Sequence, residues 1–167
     1  GRDIRTYERA SLRQKFGIVF QNDFLMAASI GENIDFEREL SPQALSEAAQ
    51  YAKADAFIAE HGGYGELLTV RGSNFSGGQK QRLLIARALA AHPEILILDD
   101  SSSALDYRTD AQLRKALLEN LPDATVVMIA QRISSVRFAD RILVLDNGQI
   151  NGLGTHEELL KLSLIHI

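Results

Sequence analysis

The chain has 167 residues, enough for one domain with a sizeable hydrophobic core and too few for two ordinary ones. With 46% hydrophobic and 24% charged residues, 3 Pro and no Cys, general disorder, collagen-like repeats, disulfide frameworks, thiolate zinc sites and cysteine nucleophiles are excluded, and a reducing compartment suits it. The formal charge of −4 argues against nucleic acid held mainly by electrostatics, leaving room for a local basic patch, and no apolar run approaches the roughly 20 residues of a membrane-spanning helix.

The chain opens on GRDIRTYERASLRQ, without an initiator Met or a secretory signal, which reads as a piece of something longer. Gly17 to Phe20 (GIVF) is a short apolar run expected to form a buried strand that delivers Gln21 at its end. Ser41-Pro42 marks a helix start, and Ala44, Leu45, Ala48, Ala49 and Ala52 follow at helical spacing. His61-Gly62-Gly63 stops that stretch before an irregular segment, Tyr64 to Asn74. From Ser76 to about Ala91 the pattern is helical again, with Leu84, Ile85, Ala88 and Leu89 as the inner stripe and His92-Pro93 as the close.

Beyond Pro93 the period changes. Ile95 to Leu98 (ILIL) is a continuous apolar run of the kind buried on both faces in parallel sheets, and it ends in Asp99 and Asp100. A polar helix over about 108–120, a second run at Thr125 to Ala130 (TVVMIA) ending at Gln131, a short helix over 134–138 and a third run at Ile142 to Leu145 (ILVL) continue the rhythm of an α/β domain. Asp146-Asn147-Gly148-Gln149 predicts a tight hairpin turn, and Thr155 to Glu158 (THEE) a capping box for a last helix. Ser163 to Ile167 (SLIHI) reads either as a frayed helix end or as residues foreign to the native protein. Gln21, Asp99, Asp100 and Gln131 thus gather where parallel strands end, the place where open α/β sheets bind ligands.

Each motif has a bland reading beside a chemical one. Ser76-Gly77-Gly78-Gln79 is a capping box, which leaves unexplained two glycines that each cost up to about 1 kcal/mol of helix propensity. Bare N–H groups at the positive end of a helix instead make an anion site, with Lys80 and Arg82 adding charge nearby. Asp99 and Asp100 suit a solvated strand end, or a Mg²⁺ ligand and its neighbour, since Mg²⁺ in nucleotide sites takes only one or two carboxylates. Asp106 in SALD passes as an N-cap, and the four His residues, His61, His92, His156 and His166, are scattered in the manner of surface residues.

Taken in order, Gln21, NFSGGQKQR at 74–82, ILILDD at 95–100, SALD at 103–106 and AQRIS at 130–134 resemble the nucleotide-binding domain of ABC transporters. They correspond to the Q-loop, signature, Walker B, D-loop and switch positions, and the surrounding words GIVFQNDFLMAASIGENI and ADRILVLDNGQINGLGTHEELL are closest to the exporter branch. The resemblance implies a three-layer, RecA-like P-loop NTPase core with a parallel sheet and an α-helical signature subdomain, N-terminally truncated. It sets residues 1–162 as a partial ATPase domain, 24–92 as the helical part and 93–162 as the Walker B to C-terminal part, with 163–167 as a tail.

It also implies a mechanism in which two such domains pair head to tail around two ATP molecules, coupled to a membrane domain that lies on the same full-length chain, at the cytoplasmic face of the membrane and without nucleic acid. Ser76, Gly77, Gly78 and Gln79 would contact the γ-phosphate of the partner's nucleotide. Asp99 would hold Mg²⁺, Gln21 would reach the Mg²⁺ and the attacking water, and Asp106 would link the two sites. Two positions depart from the family. Asp100 stands where a Glu general base is usual, withdrawing the carboxylate by about 1.5 Å. Gln131 stands for a His, and Gln never carries the imidazolium charge. The signature, which serves the partner's site, is intact. The pair therefore implies the degenerate-site half of a heterodimeric exporter; an active homodimer and a silent docking module are the alternatives. No G-x-x-x-x-G-K-S/T loop occurs in these residues, so negligible hydrolysis is expected from the 167-residue chain itself.

Overall fold

A computed structural model describes residues 3–162, so the expectation for 163–167 lies outside the described residues. The chain divides into two compact units, one ending at Ile129 and the other beginning at Ala130.

The first unit is built on three parallel strands, β1 (Phe16–Val19), β2 (Ile95–Asp99) and β3 (Thr125–Ile129), in the order β1-β2-β3. Parallel neighbours require crossovers, and helices supply them. Between β1 and β2 lie α2 (Ile30–Asp35), α3 (Pro42–Tyr51), α4 (Asp55–Glu60) and α5 (Gly77–Leu89); α6 (Tyr107–Asn120) links β2 to β3, and α1 (Arg9–Gln14) precedes β1. The chain is thus α/β with a parallel sheet, as its apolar runs indicate.

The core forms around α5, which packs on α2, α3 and β1. Every residue from Leu83 to Leu89 is buried, Arg87 included, so the expected stripe widens into a wholly enclosed half-helix. Covered by elements on several sides, this half has no face left for solvent. Leu96 and Leu98 of β2 are 0% and 1% exposed, whereas Val126, Val127 and Ile129 of β3 are 37%, 44% and 48% exposed. Similar apolar runs thus differ, because β2 has a strand on each side while β3, among the described residues, pairs only with β2.

Local signals act as capping chemistry predicts. The Ser41 hydroxyl accepts the Ala44 N–H at 3.2 Å, with Pro42 opening α3. Two helices escaped the sequence pattern, α1 and α2, and the helical stretch expected between Ser41 and His61 divides into α3 and α4. For α2 a signal existed, since Ser29 and Glu32 form an S-x-x-E capping box in which the Ser29 N–H donates to Glu32 at 2.7 Å. The segment expected to be irregular holds a 3₁₀ turn at Val70–Gly72 and an antiparallel bridge between Ser29 and Leu67. His61 is half-buried rather than superficial: its ring stacks on Phe75 at 4.9 Å, with Nδ1 2.8 Å from the Phe57 carbonyl oxygen.

The second unit holds α7 (Ile133–Val136), β4 (Ile142–Asp146), β5 (Gln149–Gly154) and α8 (His156–Lys161). The run expected as a third strand of the βαβ rhythm pairs instead with β5, antiparallel, from Ile142 opposite Gly154 to Asp146 opposite Gln149. Asn147 and Gly148 close the hairpin with φ of 48° and 77°, the twist that matches tight two-residue turns. The Thr155–Glu158 capping box opens α8, with Thr155 N–H donating to Glu158 at 2.8 Å.

Candidate functional site

Parallel register places Val19 opposite Leu98, so Gln21, beyond β1, and Asp99 and Asp100, ending β2, share the carboxyl edge of the sheet. Gln21 is exposed in a turn closed by the Asp23 N–H donating to the Phe20 carbonyl at 3.2 Å. Asp99 and Asp100 are half-buried. The chain turns sharply at Asp100, whose φ of 47° lies in the left-handed region that Asp enters more readily than most L-residues. Its N–H still donates to the Ile129 carbonyl at 3.0 Å, extending the sheet by one bond, and its own carbonyl accepts from the Ser103 hydroxyl at 2.9 Å. Gln131 is exposed at the start of the second unit. The structure therefore gathers Gln21, Asp99 and Asp100 within one unit, and Gln131 belongs to the other.

At the other candidate motif, Ser76 caps α5: its hydroxyl accepts the Gln79 N–H at 3.2 Å, while the Gln79 side chain accepts the Ser76 N–H at 2.8 Å. The bland reading is realised, and it satisfies two of the donors that a helix start leaves open. The N–H groups of Gly77 and Gly78 precede the first intrahelical acceptors and remain for a ligand or water. The glycines have a second cause. A Cβ at Gly77 would lie 3.2 Å from the Ala104 Cβ, and one at Gly78 3.2 Å from the Ala104 carbonyl oxygen. Bare backbone here lets the helix start press against the turn that follows Asp100.

The two nearby cations turn away from this role. Lys80 Nζ donates to the Arg71 carbonyl at 3.4 Å, and Arg82 donates to the Lys53 carbonyl at 2.7 Å with its guanidinium 4.6 Å from the Phe57 ring centroid. Burial pushes the Arg82 pKa down, opposed by Asp106 and Asp55. Asp106 serves as the N-cap of α6, accepting the Thr109 N–H at 2.9 Å and its hydroxyl at 2.8 Å. Those bonds, backbone first, hold its carboxyl below the usual range.

Sequence reasoning missed the groups that hold these pieces in place. Arg87 donates to the Asn33 carbonyl and Oδ1, each at 2.8 Å, and to the Phe24 carbonyl at 3.1 Å, while its guanidinium lies 3.9 Å from Asp23 and 4.6 Å from the Phe36 ring centroid. Asn33 in turn donates to the Met26 and Ser29 carbonyls and accepts the Met26 N–H at 2.8 Å. The segment after Gln21 is thereby fixed to α2 and α5. Burial lowers the Arg87 pKa, with Asp23 opposing, and a guanidinium stays charged regardless. An Arg inside an apolar helical run is the one signal that pointed here. Among the described residues no group of three or more His, Cys, Asp or Glu side chains is placed to hold a metal ion.

Comparison with known proteins gives one answer. The sequence model of the ABC transporter family matches residues 1–103. The uncharacterized ABC transporter ATP-binding protein YknU of Bacillus subtilis (strain 168) is 44% identical over 160 residues, covering 95% of this chain and 27% of that protein. YgaD of the same organism, named provisionally as a multidrug export ATP-binding/permease protein, is 41% identical over 162 residues, covering 96% and 28%. A solved structure of a bacterial Atm1-family ABC exporter with ATP bound superposes with a TM-score of 0.91 at 37% identity, covering 98% of this chain and 29% of that one. The chain spans about a quarter of the length of these relatives.

Proposed function

The chain belongs to the ABC transporter family, and from that premise we propose that it is the ATP-binding part of an exporter that couples ATP binding and hydrolysis to transport across a membrane. One observation carries the proposal. Within a single unit, the strand ends bearing Gln21, Asp99 and Asp100 lie on one sheet edge, and the turn leaving Asp100 packs against the bare glycine start of α5. A carboxylate pair with a neighbouring amide can hold a hydrated Mg²⁺, and N–H groups at a helix start can receive a phosphate.

In this proposal Asp99 would hold Mg²⁺, Gln21 would orient the attacking water, and Asp100 would accept that water's proton. Ser76, Gly77, Gly78 and Gln79 meet the terminal phosphate of ATP held by a second ATPase domain, and Asp106 lies between the two sites. Bound Mg²⁺ neutralises phosphate charge; every other contribution comes from the chain's own groups. The membrane domain lies elsewhere on the full-length protein, and the ATPase faces the cytoplasm. No described helix is long and apolar enough to cross a membrane.

We further infer that this subunit's own site turns over slowly and that its signature completes a competent site on a different partner. The shorter reach of Asp100 and the uncharged Gln131 motivate that reading, since a misplacement of about 1 Å can cost roughly 10²-fold in rate. The test is hydrolysis by the full-length subunit alone. Slow turnover is expected, rising on the order of 10²-fold when Asp100→Glu and Gln131→His are combined, and the wild type should become active on mixing with its partner. Rapid hydrolysis by the unpaired wild type overturns the degenerate-site reading in favour of a homodimer. The 167-residue chain alone should show no measurable hydrolysis; a robust rate abolished by Asp99→Ala would refute that.

A further inference from the structure

Gln81 lies one turn into α5, facing the turn that follows β2. Its amide makes two bonds to that turn: Nε2 donates to the Ser103 hydroxyl at 3.1 Å, and Oε1 accepts the Ala104 N–H at 3.0 Å. The Ser103 hydroxyl passes its own hydrogen to the Asp100 carbonyl at 2.9 Å, so a continuous path runs from α5 through Gln81 and Ser103 to the backbone of Asp100. Ala104 also lies close to the bare glycines, its Cβ 3.2 Å from where a Cβ at Gly77 would stand and its carbonyl oxygen 3.2 Å from one at Gly78. Two residues further on, Asp106 begins α6.

We propose that Gln81 is a positioning residue: it ties the turn that sets Asp100 and Asp106 to the glycine start of α5, so that the two nucleotide-facing segments keep a fixed relation during turnover. The inference rests on the ATP-binding reading above. Ser103, Ala104 and Asp106 are exposed, and Asp100 holds a left-handed φ of 47°. Leu105 anchors the turn in the core, with its Cδ2 3.5 Å from where a Cβ at Gly78 would stand, and the Gln81 amide ties the exposed polar stretch before it to the helix by two bonds. The chemistry also explains the residue type. A primary amide offers a donor and an acceptor side by side without titrating, and Asn, the other amide, is one methylene shorter.

The experiment uses the full-length protein in its assembled transporter, with Gln81→Met, which keeps the length and removes both bonds, and Gln81→Glu, which keeps the acceptor for the Ala104 N–H. Hydrogen exchange at the Ala104 N–H without nucleotide should speed up about fivefold in Gln81→Met, the factor expected when the one of the two lost bonds that holds a backbone amide is removed, and return at least halfway in Gln81→Glu. With MgATP, kcat of Gln81→Met should fall about fivefold or more while KM stays within about twofold, the mark of a group that acts on the reacting arrangement and not on binding. Unchanged exchange in Gln81→Met overturns the proposal whatever the nucleotide does. Faster exchange with unchanged kcat also overturns it, reducing Gln81 to a structural contact. If wild-type protein neither binds nor hydrolyses MgATP, the ATP-binding reading falls and carries the proposal with it, an outcome distinct from the other two because it appears without any substitution.

Discussion

The two ends of α5 are fastened by opposite means. Near its C-terminus, Arg87 is 9% exposed and spends its guanidinium on Asn33, Phe24 and Asp23, above the ring of Phe36. Near its N-terminus, Gln81 holds an exposed turn through two neutral bonds. Charge-assisted bonds in a low-dielectric interior are strong and costly to break, whereas neutral bonds at the surface exchange readily with water. One end is thus held from inside the core and the other from the surface, and the surface-held end is the one beside the candidate nucleotide-facing residues.

The largest expected effect breaks the buried end. Arg87→Met should cost about 3–5 kcal/mol, because the Asn33 and Phe24 carbonyls lose donors in a buried place. Urea unfolding of variant and wild type checks this, and a loss below about 1 kcal/mol would show that the network is not what secures α5. Next comes the surface-held end. Gly78→Ala places a Cβ 3.2 Å from the Ala104 carbonyl oxygen, a crowding worth about 1–3 kcal/mol, while helix propensity returns up to about 1 kcal/mol. A net loss of about 1 kcal/mol is expected, measured in the same way. A net gain would mean that the turn yields freely.

The smallest effect separates the ends by pH. The Asp35 carboxyl is held below its usual range, first by the Leu40 N–H at 2.6 Å, and it organises the turn carrying Arg38, which donates to the Arg87 carbonyl at 3.1 Å. A depressed carboxyl contributes stability that is full above its unfolded pKa near 3.8 and lost as pH falls through its lower folded value. Acid below about pH 4 should therefore speed exchange around residues 35–40, and Asp35→Asn should flatten that dependence. The Gln81, Ser103 and Ala104 contacts contain no ionisable side chain and should follow only the general loss of stability.

Much of this was legible beforehand where chemistry is local. The runs at 95–98 and 125–129, the Ser41-Pro42 start, the Asn147-Gly148 turn and the Thr155–Glu158 box announce strands and caps, because backbone period and capping depend on residues a few places apart. Illegible were the fate of equal-looking strands and the use of the polar residues. TVVMI reads like ILIL, yet its exposure follows from which strands flank it. Nothing near Lys80 and Arg82 reveals that their charges go to Arg71 and Lys53, nor that His61 rests on Phe75.

The pair of glycines at 77 and 78 shows the division most plainly. The sequence alone determined an α/β chain and its family resemblance, and through that resemblance which residues to expect beside a nucleotide. Only the tertiary structure decided that the glycines also make room for Ala104 and that Gln81, 22 and 23 positions from its partners, closes the contact. Periodicity and capping are properties of neighbours along the chain; close approach between a helix start and a distant turn exists only once packing has brought them together.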